Sequence, residues 1–427
     1  MTESEDDSDA GESLGYSESA VTSDDSDTAA ASDTAESSDT TESSDTAAAS
    51  DTAESSDTSP QERRTREVQR RLRERGDGAV VLFPSHNMAY TTGFTEEPGE
   101  RHLLAFLPAV GEPVFLVPAL SGEQVRRATW IDDVRTWDDE ADPAERVAAI
   151  VEELDLDGGR LLVDDTMHAR FTHDLRAAAP DATFGLASEV LSQLRVRKDD
   201  AEIDALRRAG AVADEVIAEL RATGETVVGQ TEAELAAEIE RKLAAHGGTG
   251  VSFEVIVGSG PNGAMPHHTH GDREIRAGEP VVLDFGTRVD GYPSDQTRTV
   301  VFGGEPDEQV RAVHDVVRRA QQAGVAAVEP GVTAADADEA ARSVIEDAGY
   351  GEAFVHRTGH GVGLDVHEEP YIVAGNDREL EPGMVFSVEP GVYLDGEFGV
   401  RIEDLVVVTE DGCERLNHSD RGLVAIE

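Results

Sequence analysis

The stretch that decides the fold is "VVLDFGTRVDGYPSDQTRT", residues 281–299, in which the acidic residue Asp284 interrupts an apolar run. Asp290-Gly291 is a strong signal for a hairpin turn between two strands. Asp284 and Asp295 stand at nearly equal distances from that turn. Residues equidistant from a hairpin turn lie opposite each other, with Cβ atoms about 5 Å apart. The pattern therefore predicts that the two carboxylates face each other on one side of a sheet.

A second stretch, "VFSVEPGVYLDGEFGVRIEDLVVV" at residues 385–408, repeats this arrangement. Glu389 and Glu403 are symmetric about Gly396 of another Asp-Gly pair, and each of them interrupts an apolar run. Four separate solvent-facing acids would be the simpler interpretation in an acidic protein. The matched symmetry about two turns favours four carboxylates that converge. Buried carboxylates this close repel each other unless a cation lies between them.

Histidines complete the candidate site, since six of the 13 lie in "PHHTH" (266–270) and "HRTGHGVGLDVH" (356–367). His360 stands between Gly359 and Gly361, where small neighbours let the backbone approach a metal or a substrate closely. A histidine in such a position is more often structural. Beside four convergent acids, a metal ligand is the better interpretation.

Four carboxylates and one imidazole suit two divalent cations that share bridging acids. The oxygen-rich ligand set favours Mn²⁺, with Co²⁺ or Fe²⁺ as alternatives, over a zinc site built on thiolates. Two such ions about 3.5–4 Å apart can activate a water molecule and polarise a carbonyl group. The chemistry that this set of residues indicates is hydrolysis.

Charge and composition restrict the partners and the setting of the protein. The 427 residues include 89 acids against 36 bases, and 18 of the acids lie in residues 1–60 without a base. An excess spread over the rest of the chain indicates adaptation to high intracellular salt, which screens self-repulsion. Nucleic acid and anionic membranes are therefore not expected as partners. With one cysteine and no targeting segment, we expect a soluble cytoplasmic protein.

The composition and the secondary-structure pattern of the sequence change at two places along the chain. Residues 1–60 are a low-complexity acidic tail that we expect to be disordered, because it cannot bury enough apolar surface. Residues 61–193 alternate helix and strand patterns and predict a smaller α/β domain. Residues 194–427 carry two copies of an αα-ββ pattern, with predicted helices near 199–222, 231–246, 307–328 and 333–348. We therefore predict an α+β catalytic domain with an internal pseudo-two-fold repeat.

Residues 198–425 resemble the pita-bread metallopeptidases, which include methionine aminopeptidase, aminopeptidase P and prolidase. The motifs "VVLDFG…YPSDQTRT", "TGHGVGLDVHEEP", "FSVEPGVY" and "GVRIEDLVVVT" carry the resemblance in the family's order and spacing. It implies that Asp284 binds one metal ion and that His360 and Glu389 bind the other. Asp295 and Glu403 would bridge the two ions.

The resemblance also implies roles in catalysis and substrate binding. His267 would contact the substrate near the scissile amide, and His367 would steady the carbonyl oxygen as it becomes an oxyanion. His356 would line the pocket for proline. Glu389 would shuttle a proton from water to the leaving nitrogen.

Three other polar residues lie within or beside these motifs. Arg401, in "GVRIED", is expected to pair with nearby ligand carboxylates at the substrate site. His268 and His270 match no functional position of the family, so we expect both of them at the surface.

The upstream segments "SHNMAYTTGF" and "EPVFLVPA" resemble the creatinase/prolidase-type N-terminal domain. This favours the proline-directed branch, whose substrates are small peptides with proline in second place. An Xaa-Pro bond lacks an N–H and has a fixed bend, so it needs a dedicated pocket. Relatives are often dimers, and we expect a homodimer. The preference for dipeptides or for longer peptides stays open.

Two other functions fit the same fold. One is a creatinase-type C–N hydrolase that needs no metal, but the presence of all five ligand positions argues against it. The other is a non-catalytic pita-bread binding module, for which degraded ligand positions would be the mark.

Overall fold

A computed structural model describes residues 58–222 and 224–426. Of the predicted disordered tail, residues 1–60, the part from residue 1 to residue 57 lies outside the described residues. Among the described residues, no helix is long and apolar enough to cross a membrane.

The first part of the described chain alternates helices and strands, as its sequence predicts. It begins with α1, whose N-cap Ser59 accepts a hydrogen bond from the Glu62 amide at 3.1 Å. Its elements are α1 Pro60–Arg75, β1 Ala79–Leu82, α2 His86–Thr92, β2 Leu104–Pro108, β3 Val114–Pro118, α3 Gly122–Ala128, β4 Asp133–Trp137, α4 Pro143–Glu153, β5 Arg160–Val163, α5 Ala169–Ala178, β6 Thr183–Leu186 and α6 Ser188–Arg195.

These six strands form one mixed sheet in the order β4-β3-β2-β1-β5-β6. β1 runs parallel to β5 and antiparallel to β2. Both faces of β1 are buried, and alternate residues serve different cores: Val80 and Leu82 on one face, Val81 on the other. A strand that is buried on both faces has a continuous apolar sequence, and residues 78–83 have such a sequence.

In the described residues of the second part there are four α-helices, a four-stranded sheet, a five-stranded sheet and two two-stranded ladders. Its elements are α7 Asp200–Ala222, α8 Glu232–Ala245, β7 Ile256–Ser259, β8 Pro280–Phe285, β9 Arg288–Val289, β10 Tyr292–Pro293, β11 Gln296–Phe302, α9 Glu308–Ala326, α10 Ala334–Asp347, β12 Gly359–Gly361, β13 Glu368–Ile372, β14 Val385–Val388, β15 Gly391–Leu394, β16 Phe398–Arg401, β17 Asp404–Thr409, β18 Gly412–Arg415 and β19 Ala425–Ile426, with 3₁₀ turns at Gly224–Val227, Gly260–Ala264 and Gly351–Ala353. The sheets have the orders β19-β11-β8-β7 and β13-β12-β14-β17-β18.

The internal duplication is visible at the start of α8 and of α10. Thr231 and Thr333 are the N-caps of these helices, and each forms a complete capping box with the acid three residues on. Each threonine also forms an isolated antiparallel bridge, Thr231 to Glu274 and Thr333 to Glu379. The second helix of each half therefore begins with the same capping box and the same bridge, as the repeat in the sequence predicts.

The two parts of the chain share a hydrophobic core. Tyr292, Val362 and Leu405 of the second part belong to the same buried cluster as Val80 and Leu82 of β1. This continuity fixes the first sheet against the second part of the chain. The division at residue 194 between two domains stays a prediction.

Candidate metal centre

The first hairpin positions Asp284 and Asp295, with a register that differs from the predicted one. Asp290 and Gly291 form its turn with φ of 50° and 84°, the positive values that a two-residue turn of this kind requires. Asp284 pairs with Thr297, so the prediction that Asp295 lies directly opposite Asp284 is wrong. The turn is centred one residue later than the midpoint of the two acids. Asp295 is instead a diagonal neighbour on the same face, two residues before Thr297.

The second hairpin follows the predicted register. Val388 of β14 pairs with Asp404 of β17, and Gly391 of β15 pairs with Arg401 of β16. Both pairs are symmetric about residue 396, which places Glu389 across from Glu403 in the gap between the two ladders. The Glu403 amide donates to the Thr297 carbonyl at 3.1 Å, and this bond joins the two hairpins.

His360 enters the centre from β12. Its Nε2 lies 3.2 Å from Glu389 Oε1 and 3.7 Å from Asp295 Oδ2. Side-chain ligand atoms of Asp295, His360 and Glu403, all three buried, lie within 4.8 Å of one another. A Cβ at Gly359 would meet the Ser387 carbonyl oxygen at 1.8 Å, so only glycine lets β12 approach β14 this closely.

Asp284 is joined to the other ligands by a relay through Arg401 and Thr297. Arg401 Nη2 lies 2.6 Å from Asp284 Oδ2, and Arg401 Nε donates to Thr297 Oγ1 at 3.1 Å. Thr297 Oγ1 donates to Glu403 Oε2 at 2.7 Å. Two buried oxygens, Asp284 Oδ1 and Glu403 Oε1, have no hydrogen-bond partner among the described residues. Each is an oxygen acceptor of the kind that a divalent cation binds.

The electrostatics of the centre require positive charge. Burial raises the pKa of Asp284, Asp295 and Glu403, and repulsion from neighbouring carboxylates raises it further. Burial would also raise the pKa of Glu389, but the hydrogen bond and charge of His360 outweigh it and lower that pKa to about 2. One arginine among four carboxylates, three of them buried, leaves a negative excess that bound divalent cations would offset. The residues fit a dinuclear site.

Three further histidines were expected near the metals. The ring of His367 packs edge-to-face on His360 with centroids 4.1 Å apart. Burial, followed by the charges of neighbouring groups, lowers the pKa of His367 to about 4, so it is neutral at neutral pH. His356 Nε2 lies 2.9 Å from the Tyr393 hydroxyl. His267 is exposed, and its charge is one of those that lower the pKa of His367.

Sequence reasoning missed three polar partners of the ligands. Thr297 connects Glu403 to Arg401, and Ser387 Oγ donates to Glu389 Oε1 at 3.1 Å. Each stands two residues from a ligand on the same strand path, so alternation along the strands could have indicated them. The Tyr393 hydroxyl lies 2.9 Å from Arg401 Nη1, and burial raises the pKa of Tyr393 to about 12. No local signal indicated that partner.

The prediction that His268 and His270 are surface residues is wrong. His268 Nε2 lies 2.8 Å from an oxygen of Glu232, whose fully buried carboxylate also accepts from the amide and hydroxyl of Ser259. His270 Nδ1 lies 2.9 Å from the Val255 carbonyl oxygen. Both histidines therefore anchor the loop that presents His267.

Comparison with known proteins agrees with this geometry. The model of "Metallopeptidase family M24" matches residues 204–410, and that of "Creatinase/Prolidase N-terminal domain" matches residues 64–197. The chain is 45% identical over 358 residues to the "Probable dipeptidase PepE" of Mycobacterium tuberculosis, covering 82% of this chain and 92% of that protein. It is 38% identical over 364 residues to the Xaa-Pro dipeptidase of Lactobacillus delbrueckii subsp. lactis, covering 84% and 97%.

Solved structures show the same architecture. The recombinant prolidase from Thermococcus sibiricus superposes with a TM-score of 0.83 at 39% identity, covering 86% of this chain and all of that one. The dipeptidase from Pyrococcus horikoshii OT3 gives a TM-score of 0.81 at 40% identity, covering 85% and 99%. The chain therefore belongs to the metallopeptidase family M24, a family of dinuclear metal enzymes, and it is a peptidase. The predicted pita-bread fold with a creatinase-type N-terminal domain is confirmed.

Proposed function

We propose that the protein is an Xaa-Pro dipeptidase that hydrolyses the bond between an N-terminal residue and a following proline, using two divalent metal ions. The observation that carries the proposal is that ligand atoms of Asp295, His360 and Glu403 lie within 4.8 Å of one another, with Glu389 3.2 Å from His360 and with unpartnered oxygens on Asp284 and Glu403. The printed names of the relatives, dipeptidase and Xaa-Pro dipeptidase, support the substrate class.

Asp284, Asp295, His360, Glu389 and Glu403 would hold the two ions. Oxygen donors dominate this set, which supports Mn²⁺, with Co²⁺ or Fe²⁺ as alternatives. When bound, the ions polarise the scissile carbonyl and lower the pKa of water. Arg401 holds Asp284 in place and offsets part of the negative charge. Thr297 fixes Glu403 through its hydroxyl, so that both ligands keep their orientation when substrate binds.

Glu389 acts as the proton carrier. His360 lowers the pKa of Glu389, which keeps this carboxylate ionised at neutral pH and therefore able to accept a proton from the attacking water. The water oxygen bonds to the carbonyl carbon, and the carbonyl oxygen gains negative charge. Neutral His367 donates a hydrogen bond to that oxygen, and His267 contacts the substrate near the amide. Glu389 then gives the proton to the proline nitrogen as the C–N bond breaks, which releases the first residue and free proline.

His356 and Tyr393 line the side on which we place the proline ring. The hydroxyl of Tyr393 lies 2.9 Å from both His356 Nε2 and Arg401 Nη1, which holds these side chains as one rigid wall. A rigid wall suits the proline ring, whose backbone bend is fixed. Because the proline nitrogen of an Xaa-Pro bond has no N–H, this wall needs no hydrogen-bond acceptor for it.

Hydrolysis of Ala-Pro in concentrated KCl tests the proposal. The protein is stripped with EDTA and then supplied with Mn²⁺, Co²⁺ or Fe²⁺, and proline release is measured, with Ala-Ala as the comparison dipeptide. We expect activity only with metal and a strong preference for Ala-Pro. Absence of metal-dependent proline release under all three ions would refute it. Parallel assays with Ala-Pro-Ala decide between dipeptides and longer peptides.

We also propose that the protein works as a homodimer in the cytoplasm of a cell with high internal salt. The excess of 89 acidic over 36 basic residues supports the salt adaptation, because multimolar salt screens self-repulsion. Light scattering after size-exclusion chromatography in 0.2 and 3 M KCl measures the assembly state. A monomer at 3 M KCl would contradict the dimer. A melting temperature at 0.2 M KCl equal to that at 3 M KCl would contradict the salt adaptation.

A further inference from the structure

The segment that carries His367, residues 363–369, is fixed by charged side chains from outside the metal centre. Asp365 stands two residues before His367, and Glu368 directly follows it. Both acids point to the same cation, Arg195, at the end of α6. We call Arg195, Lys198 and His86 the clamp.

Arg195 makes the central contacts of the clamp. Its Nη2 lies 2.6 Å from Asp365 Oδ2 and 2.6 Å from Glu368 Oε2. Its Nη1 donates to Asn87 Oδ1 at 2.8 Å, so the guanidinium spans from α2 to the His367 segment. Only 9% of its side chain is exposed. Charge-assisted bonds of this length are strong and directional, and the one to Glu368 is also buried, with 12% of that side chain exposed.

The remaining clamp residues hold the same two acids from other sides. His86 Nδ1 lies 2.5 Å from Asp365 Oδ1. Lys198, one of only two lysines in the chain, places its Nζ 2.7 Å from Glu368 Oε1, with 1% of its side chain exposed. Asp365 is therefore bonded at both oxygens, whereas Glu368 accepts a hydrogen bond from Arg195 at Oε2 and has only the ion pair with Lys198 at Oε1.

The backbone of the segment is built to accept the clamp. A Cβ at Gly363 would lie 2.3 Å from Glu368 Oε1, so a larger residue there would displace that carboxylate from its present position. Arg288 Nη1 donates to the Leu364 carbonyl at 2.9 Å and fixes the backbone at this same end of the segment. His367 borders a cavity of about 1050 Å³ that is also lined by His86 and Arg195. With open space on that side, the segment is packed on one side only, and the charged contacts add to the pairing of Glu368 with Gly361 between β13 and β12.

We propose that Arg195 is a positioning residue for the peptidase reaction, and that it acts by holding His367 against the metal centre. The proposal rests on the proposed function for the role of His367. A displacement of about 1 Å of a group that stabilises a transition state can lower the rate about 100-fold. Loss of Arg195 would leave Asp365 and Glu368 with one partner each and would release the segment between them. Through Arg195, the first part of the chain thus contributes to the position of a group in the second part.

Arg195→Gln tests the proposal, with Arg197→Gln as the matched control. Arg197 is two residues away and pairs with Glu381 at 2.8 Å on the surface. We expect Arg195→Gln to lower kcat on Ala-Pro by about 10- to 100-fold, with KM changed less than about three-fold and metal content unchanged. Arg195→Lys should recover part of kcat, and Arg197→Gln should behave as wild type.

A double-mutant cycle with His367→Gln separates positioning from general destabilisation. If Arg195 acts through His367, then Arg195→Gln causes no further loss of kcat in the His367→Gln background. Equal fold losses in both backgrounds would overturn the proposal. Should Arg195→Gln fail to fold, Asp365→Asn loosens the same segment more mildly and takes its place in the cycle.

Hydrogen–deuterium exchange keeps this test independent of the proposed substrate. In metal-loaded protein, Arg195→Gln should speed amide exchange in residues 363–369 at least about 10-fold, whereas Arg197→Gln should not. Unchanged exchange would overturn the clamp even if the activity fell. If the wild type cleaves no Xaa-Pro dipeptide, the proposed function fails, and the exchange result still decides whether Arg195 holds the segment.

Discussion

Replacing Asp295 by asparagine should have opposite effects on the metal-free and metal-loaded protein. Asp295 is 4% exposed, and burial together with the nearby Asp284 and Glu389 raises its pKa well above the usual range. Without metal, the native state therefore contains crowded acids with no added cation between them. An asparagine side chain at this position has nearly the same shape and no charge, so it relieves the repulsion. The substitution also removes a ligand that both ions are expected to share.

The magnitudes follow from these contacts. A buried, poorly compensated polar or charged group costs about 1–3 kcal/mol, so Asp295→Asn should stabilise the metal-free protein by about 2 kcal/mol. With metal at 100 times its dissociation constant, each bound ion stabilises the wild type by about 2.7 kcal/mol. The variant loses most of that gain. The order of the two melting temperatures should therefore reverse between EDTA and excess Mn²⁺.

Calorimetry in 3 M KCl, with EDTA or with Mn²⁺, measures this reversal, and elemental analysis gives the bound metal. Asp290→Asn is the control, because Asp290 lies in the turn of the same hairpin with a side chain that is 70% exposed. It should change neither melting temperature. A metal-free Asp295→Asn protein that melts below metal-free wild type would refute the electrostatic argument, and normal metal content would refute the ligand role.

The pH dependence gives a second measurement on the same variant. A carboxyl whose pKa is raised on folding stabilises the native state below its unfolded pKa, and this contribution is lost as the pH rises through the folded pKa. Metal-free wild type should therefore lose stability from about pH 4 upward, where an unfolded aspartate begins to ionise. The loss should be smaller in Asp295→Asn, and an identical profile would contradict the assignment of the shift to this group.

Three other changes have definite expected outcomes. Thr297→Val removes the hydroxyl between Arg401 and Glu403, so metal affinity should fall about 10-fold in a chelator competition with the fold retained; unchanged affinity would exclude the relay. Burial lowers the pKa of His314 to about 4, so lowering the pH from 8 to 5 should reduce the free energy of unfolding by about 2 kcal/mol through this group. In urea denaturation at a series of pH values, His314→Leu should remove most of that decrease. Deleting residues 1–57 should leave kcat on Ala-Pro unchanged, and a large loss would give the acidic tail a part in function.

Much of this protein is determined by short-range signals in its sequence. Asp-Gly pairs set the turns of two hairpins, and the symmetric acids around them indicate the cation site because few other arrangements tolerate carboxylates in apolar strands. Capping boxes at Thr231 and Thr333 fix the starts of two related helices. These features depend on backbone preferences and on contacts within a few residues, so they can be read from the sequence.

Tertiary structure alone decided which side chains support the ligands. Thr297 opposite Asp284, Tyr393 against Arg401 and Arg195 across from Glu368 depend on register and on the packing of distant segments. A shift of one residue in the turn centre changes every cross-strand partner, and local preferences are too weak to specify it. The unpartnered oxygens of Asp284 and Glu403 likewise cannot be identified from the sequence. An oxygen lacks a hydrogen-bond partner only when no donor from any neighbouring segment reaches it, and the tertiary structure decides that.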